Sequence, residues 1–196
     1  MNDIRYAGTI VSDIVFSHES CGEKFLQFFV SSNRLSGVAD CVKVIAPELL
    51  VRDYAKNDNI CIVGEIRTRG YEDEEKRKLD VFVFARLLEQ YEIDENFVSL
   101  QGFVVSKQPQ RQTKQGREIT DFTVASNRGY HKSDYIPCIA WSRTAKRVDE
   151  MSIGTQIILE GRLQSREYIK VIDGEPNLRI AFELSVARIW EDVSNG

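Results

Sequence analysis

Along several stretches of this chain, side chains change character at every second position. Val98, Leu100, Gly102 and Val104 alternate with Phe97, Ser99, Gln101 and Phe103, and Ile157, Leu159, Gly161 and Leu163 alternate with Ile158, Glu160, Arg162 and Gln164. A period of two puts neighbouring side chains on opposite faces of a strand. Tyr135 to Trp141 has the same period, with Ile136, Cys138 and Ala140 pointing one way and Tyr135, Pro137, Ile139 and Trp141 the other. Only Ser142 to Met151 reads as a helix, with Ser142 or Thr144 as N-cap and Gly154 just beyond as the stop.

The pattern occurs twice. Gly8, Gly22, Phe28 and Asn33-Arg34 recur as Gly102, Gly116, Phe122 and Asn127-Arg128 at an offset of 94, and Gly64 to Tyr71 recurs as Gly161 to Tyr168 at an offset of 97. Ala85 to Glu89 then recurs as Ala187 to Glu191, so the few inserted residues belong in loops. Two copies of one fold are expected: residues 1–90, a short acidic linker at 91–96, residues 97–191, and a tail at 192–196. Within a copy the order is three strands, one short helix, and two or three more strands. The fold class is therefore all-β with one short helix per repeat, as two tandem OB-folds, which are five-stranded Greek-key barrels.

A small barrel has one interior to fill, yet both faces of Tyr135–Trp141 are apolar. The inner set suffices for packing, which leaves Tyr135 and Trp141 for a surface built to be covered. In the first copy the inner set persists as Val42, Val44 and Ala46, whereas the outer set reads Cys41, Lys43, Ile45 and Pro47. The outer face of the second copy continues through Arg162, Gln164, Arg166 and Tyr168. Cations interleaved with rings suit a single strand of nucleic acid, because cations follow phosphates and rings stack on unpaired bases.

Charge sharpens this reading. The whole chain has a formal net charge of −4, but residues 97–148 hold nine basic side chains against three acidic ones, and residues 1–90 hold twelve against fifteen. The second copy is thus a basic module inside an acidic chain. Its loop from Lys107 to Arg117, with Arg111 and Lys114, has four cations and no anion and joins the first two strands, a place where OB-folds commonly meet oligonucleotides.

Catalysis and cofactors find little support. Cys21, Cys41, Cys61 and Cys138 form no close pair, so reduced thiols are expected and no metal site. His18 and His131 fall in expected turns, and Glu72-Asp73-Glu74-Glu75 in a hairpin tip. No nucleophile, Walker or dinucleotide motif stands out, so no enzyme and no cofactor are expected. No apolar run is long enough to span a bilayer and no export signal opens the chain; a soluble, cytoplasmic, nucleoid-associated protein is expected.

The second copy resembles the bacterial single-stranded DNA-binding proteins. The carriers are Asp121 to Ala125, Asp134 to Trp141, Ala145 and Gly154 to Arg166. The resemblance implies four DNA-stacking positions, which fall on Tyr130, Tyr135, Trp141 and Tyr168, flanked by Arg128, Arg162 and Arg166. In the first copy three of these positions read Ser36, Cys41 and Pro47. Only Tyr71 remains, with Arg67 and Arg69 beside it, so a secondary contact and mainly an assembly role are expected there.

Family members usually work as four OB-folds, which implies a homodimer of this chain on single-stranded DNA, in replication, recombination or repair. Typical members end in an acidic tail closing on Ile-Pro-Phe that recruits other enzymes. This sequence ends Trp190-Glu191-Asp192-Val193-Ser194-Asn195-Gly196, so tail-borne protein partners are not expected. The competing reading is a primosome-type adaptor on the same fold that binds protein and little or no DNA.

Overall fold

In the computed structural model the described residues are 1–73, 76–129, 131–172 and 175–192, with the side chains of 72, 73, 76, 77, 170–172 and 177–179 excepted. Tyr130, Glu74 and Glu75 lie outside the described residues. The first half runs β1 (Asn2–Ile10), β2 (Val15–Ser20), β3 (Glu23–Asn33), β4 (Ala39–Pro47), α1 (Glu48–Val51), β5 (Asn59–Asp73) and β6 (Lys76–Gln90). The second runs β7 (Glu95–Lys107), β8 (Arg111–Gln112), β9 (Glu118–Arg128), β10 (Lys132–Trp141), α2 (Arg143–Glu150), β11 (Gln156–Ile172) and β12 (Glu175–Glu191).

Five strands close each half into a barrel. In the first, β1 pairs with β5, β5 with β6, β6 in parallel with β4, β4 with β3, and β3 back with β1. In the second, β7, β11, β12, β10 and β9 close in the same cycle, again with one parallel pair, β10 with β12. This is the OB-fold connectivity. Each half has one strand more than expected before its helix, β2 or β8, which pairs outside the cycle on β3 or β9.

Inward residues fill both barrels as the alternation requires. Val42, Val44 and Ala46 are buried in one, and Ile136, Cys138 and Ala140 in the other. Burial of a side chain the size of Val42, Val44 or Ile136 stabilises the fold by roughly 1.5–3 kcal/mol, and of the smaller Ala46 and Ala140 by less. Burial raises the pKa of the Cys138 thiol, which behaves as a small apolar group. The recurring glycines mark close approaches of backbone: a Cβ on Gly161 would stand 2.2 Å from the Ser185 carbonyl oxygen, and one on Gly64 2.2 Å from that of Phe84. Both sit at a register shift in their strand pairs.

Two local expectations are corrected. Ser142 does precede α2, but with φ 50° and ψ −117° and no side-chain capping bond. Its N–H instead donates to Glu118 O at 2.8 Å, which ties the helix start to β9, while buried Ala145 and Val148 hold the helix on the barrel. His18 lies in strand β2 rather than in a turn, its ring stacked on Phe25 with centroids 4.8 Å apart and planes 8° from parallel. None of the described helices is long and apolar enough to cross a membrane.

The two barrels join edge to edge. β1 and β7 run antiparallel with Ile4 opposite Val98, its own counterpart at the offset of 94, so Asn2 faces Leu100 while Tyr6 faces Asn96. Equivalent residues exchange places across that pair, as in a self-complementary two-fold interface folded into one chain.

Candidate nucleic-acid interface

The two-fold relation is reinforced by a reciprocal pair of buried carboxylates. Asp40, from β4, accepts the Ser165 N–H of β11 at 3.1 Å, and the Cys41 N–H donates to Ser165 Oγ at 3.0 Å. Asp134, from β10, accepts the Thr68 N–H of β5 at 2.7 Å, and the Tyr135 N–H donates to Thr68 Oγ1 at 2.9 Å. Each copy's hairpin thus leans over the outer face of the other. The shared offset of Asp40 and Asp134, each six residues after its Asn-Arg pair, is the sequence signal that could have marked them.

The first outer face holds a groove of about 650 Å³ on the second barrel. Arg111, Arg117, Trp141, Arg162 and Arg166 line it, and Arg34 reaches in from the first copy. Trp141 is partly exposed and its Nε1–H donates to Ser185 Oγ at 3.2 Å, which orients the ring. Arg166 lies 5.7 Å from the ring centre of Tyr168, which is 39% exposed. Gln164 is buried and donates to Glu183 at 2.8 Å, so it braces the strand rather than offering itself to solvent. Ile139, placed on the outer face by the alternation, lines this groove beside Trp141 but is 5% exposed.

Electrostatics here favour an incoming anion. Burial and the neighbouring Arg34 guanidinium hold the Arg162 pKa below the usual arginine value, with Asp40 opposing. Asp40 is engaged by Arg34 through two hydrogen bonds of 2.7 and 2.5 Å. Among the described residues Arg162 and Arg117 have no carboxylate partner. A phosphate would relieve the crowding of guanidinium groups.

The loop residues divide. Arg111 pairs with Asp121 at 2.5 Å on the groove wall, Arg117 lines the groove, and Lys114 stands exposed in the turn between β8 and β9. Lys107 has a different place: its Nζ donates to the carbonyl oxygens of Asp149 and Met151, at 2.7 Å for the latter, at the C-terminal end of α2. Free helix carbonyls and the helix dipole both attract a cation there.

Arg128 is not beside Trp141. It lines a second groove, of about 500 Å³, with Arg67, Arg69 and Lys132. Tyr135 is 51% exposed on the strand that leans over this side, and Tyr71 is 44% exposed beyond Arg69 on β5. Arg128 and Arg67 approach the buried Asp134 at 3.5 and 3.6 Å, Arg67 also pairs with Glu65, and Arg69 reaches Asp80 at 3.3 Å. The residues named from the sequence therefore fall into two sets on two faces. Arg34, Lys132 and the two aspartates, absent from those sets, complete them.

Residues 95–188 match the family model described as the Single-strand binding protein family. No curated protein matches the sequence. Among solved structures, the wild-type single-stranded DNA binding protein from Thermus aquaticus superposes with a TM-score of 0.79 at 19% identity, over 100% of this chain and 95% of that one. A deletion mutant of the same Thermus aquaticus protein gives 0.79 and 19% over 100% and 96%. The N-terminal domain of PriB from Thermoanaerobacter tencongensis covers 46% of this chain and 97% of that one, at 27% identity and a TM-score of only 0.40. At these identities the likeness shows a shared tandem fold over the full length, and residues 95–188, the second repeat, are similar in sequence to the single-strand binding protein family.

Proposed function

We propose that the chain is a non-catalytic binder of single-stranded DNA that coats the strand by base stacking and phosphate neutralisation. The observation that carries this is the first groove, where Trp141 stands among Arg111, Arg117, Arg162, Arg166 and Arg34, with Arg166 in turn 5.7 Å from the Tyr168 ring centre. Bases stack on Trp141 and Tyr168, and phosphates run along the guanidinium groups. Sequence preference is slight because every base has a π-face. The second repeat is the principal binding domain, and the strands shared with the first repeat hold it in place. A second copy of the chain brings the number of barrels to four, on strands exposed in replication, recombination or repair in the cytoplasm.

Anisotropy of a labelled thymidine homopolymer of about 35–70 nucleotides, scaled from roughly 4–16 per OB-fold, tests the proposal. The wild-type chain binds, and log affinity falls by about 0.7 per phosphate contact for each log unit of salt. The double variant Trp141→Ala, Tyr168→Ala loses about 2–6 kcal/mol, at roughly 1–3 kcal/mol per stacked base. Unchanged affinity in a folded double variant rejects the stacking assignment. Solution mass with and without the oligonucleotide reads the dimer: a monomer in both states rejects the four-barrel assembly.

A further inference from the structure

We infer that the second groove is a second single-strand binding subsite, assembled from both repeats and carrying a set of rings of its own. This rests on the reading of the chain as a single-strand binder and extends it to the first repeat.

The groove is the two-fold counterpart of the first. Arg67, Thr68 and Arg69 occupy on β5 the places of Gln164, Ser165 and Arg166 on β11; across the hairpin Phe82 faces Arg67 and Phe84 faces Glu65, as Glu183 faces Gln164 and Ser185 faces Arg162. Where the second barrel has carboxylate and hydroxyl, the first has two rings. The missing outer aromatics of β4 are thus replaced from neighbouring strands: Phe25, Ile45, Phe82 and Phe84 form an apolar cluster outside the barrel interior. His18 stacks on Phe25 and lines the groove, Phe25 tilts against Phe84 at 5.9 Å, and Arg67 lies 5.8 Å from the Phe84 ring centre. Phe84 and His18 are part-exposed and line the groove, while Phe25 and Phe82 are buried.

The rim is cationic and comes from two repeats. Arg67 and Arg69 belong to the first, Arg128 and Lys132 to the second. Glu65, Asp80 and Asp134 offset part of this charge, but Asp134 Oδ2 is buried without a hydrogen-bond donor and its two guanidinium partners stand at 3.5 Å or more. Those guanidinium groups are therefore only partly committed, and among the described residues Lys132 has no ion-pair partner. Flat rings on the floor and cations along the rim suit unpaired bases with their phosphates better than an acidic peptide, whose carboxylates use the rim alone.

The test uses the full chain and a thymidine homopolymer of about 35 nucleotides, within the range scaled from the site size per OB-fold, carrying photoreactive 4-thiothymidine. Adducts are expected on peptides of β2 and β6 that contain His18 and Phe84, in addition to those that contain Trp141 and Tyr168. Adducts confined to the second repeat, with binding intact, overturn the inference and leave the proposed function standing. Absence of binding removes both. A second arm changes exposed rim charges only: Arg69→Glu with Lys132→Glu lowers affinity about tenfold and reduces the salt slope by about 1.4, at 0.7 for each of two phosphates. An unchanged slope overturns the inference. So does a variant that keeps the slope while losing affinity for a glutamate decamer, which assigns the groove to a protein partner.

Discussion

The two grooves occupy equivalent places on equivalent barrels and solve the same surface problem with different residues. On the second barrel the rings sit on β10 and β11, as Trp141 and Tyr168, and the strand facing them offers Glu183 and Ser185. On the first, β4 contributes no ring, and the facing strand β6 supplies Phe82 and Phe84 instead. The barrel interior is indifferent to this exchange, because period-two alternation decouples the faces of a strand. Outer faces can therefore diverge while the fold and the two-fold joint stay fixed.

The sharpest way to break the comparison is at the carboxylates that hold each hairpin over its neighbour. Asp40 is buried, takes two short hydrogen bonds from Arg34 and receives the Ser165 N–H. Asp40→Ala is expected to cost about 3–5 kcal/mol in urea unfolding, since it strands partners that are already desolvated. Asp134 is less well satisfied, with Oδ2 unbonded and Arg128 at 3.5 Å. Asp134→Ala is expected to cost only about 1–3 kcal/mol, chiefly the orphaned Thr68 N–H. Equal costs for the two variants would show that the joint is symmetric in energy as well as in shape.

A gain-of-function change sharpens the comparison next. Cys41 is the counterpart of half-exposed Tyr135 and is itself part-buried against the other repeat. Cys41→Tyr returns one ring to the first copy and is expected to raise affinity for a thymidine homopolymer by about 1 kcal/mol, the lower end of a single stacked base. Anisotropy titration reads it, and no gain would mean that the strand does not pass β4 of the first barrel.

The smallest effect is expected at Lys107. Lys107→Met removes a cation from the basic loop yet should change DNA affinity by less than about twofold, because the ammonium is engaged at the end of α2. Its cost should instead appear in thermal or urea unfolding as about 0.3–1 kcal/mol, the usual worth of a cation at a helix C-terminus. A large loss of affinity with no loss of stability would return Lys107 to the DNA track.

The sequence was informative about the inside of the barrels and about one of the two outer faces. Alternation along β7, β10 and β11 places Ile136, Cys138, Ala140 and Leu163 inward, and they are buried. Arg162 and Arg166 share a face because even spacing along a strand is a local rule, and Trp141 lines the same groove from β10. Local logic does not reach the bonding partners of Lys107 and Gln164, which are distant in the chain: the end of α2 for one and Glu183 for the other. His18 and Phe84 carried no legible signal, because they belong to strands whose outer neighbours only barrel closure defines.

What the chain determined by itself is periodicity, repetition and charge segregation, all of which are written in near neighbours. What the tertiary structure alone decided is which residues of one repeat complete the groove of the other: Arg34 in the groove of Trp141, and Arg128 and Lys132 in that of Phe84. The physical reason is that β1 and β7 pair about their own equivalents, so each hairpin is carried across to the opposite barrel. No spacing along a single strand encodes that rotation.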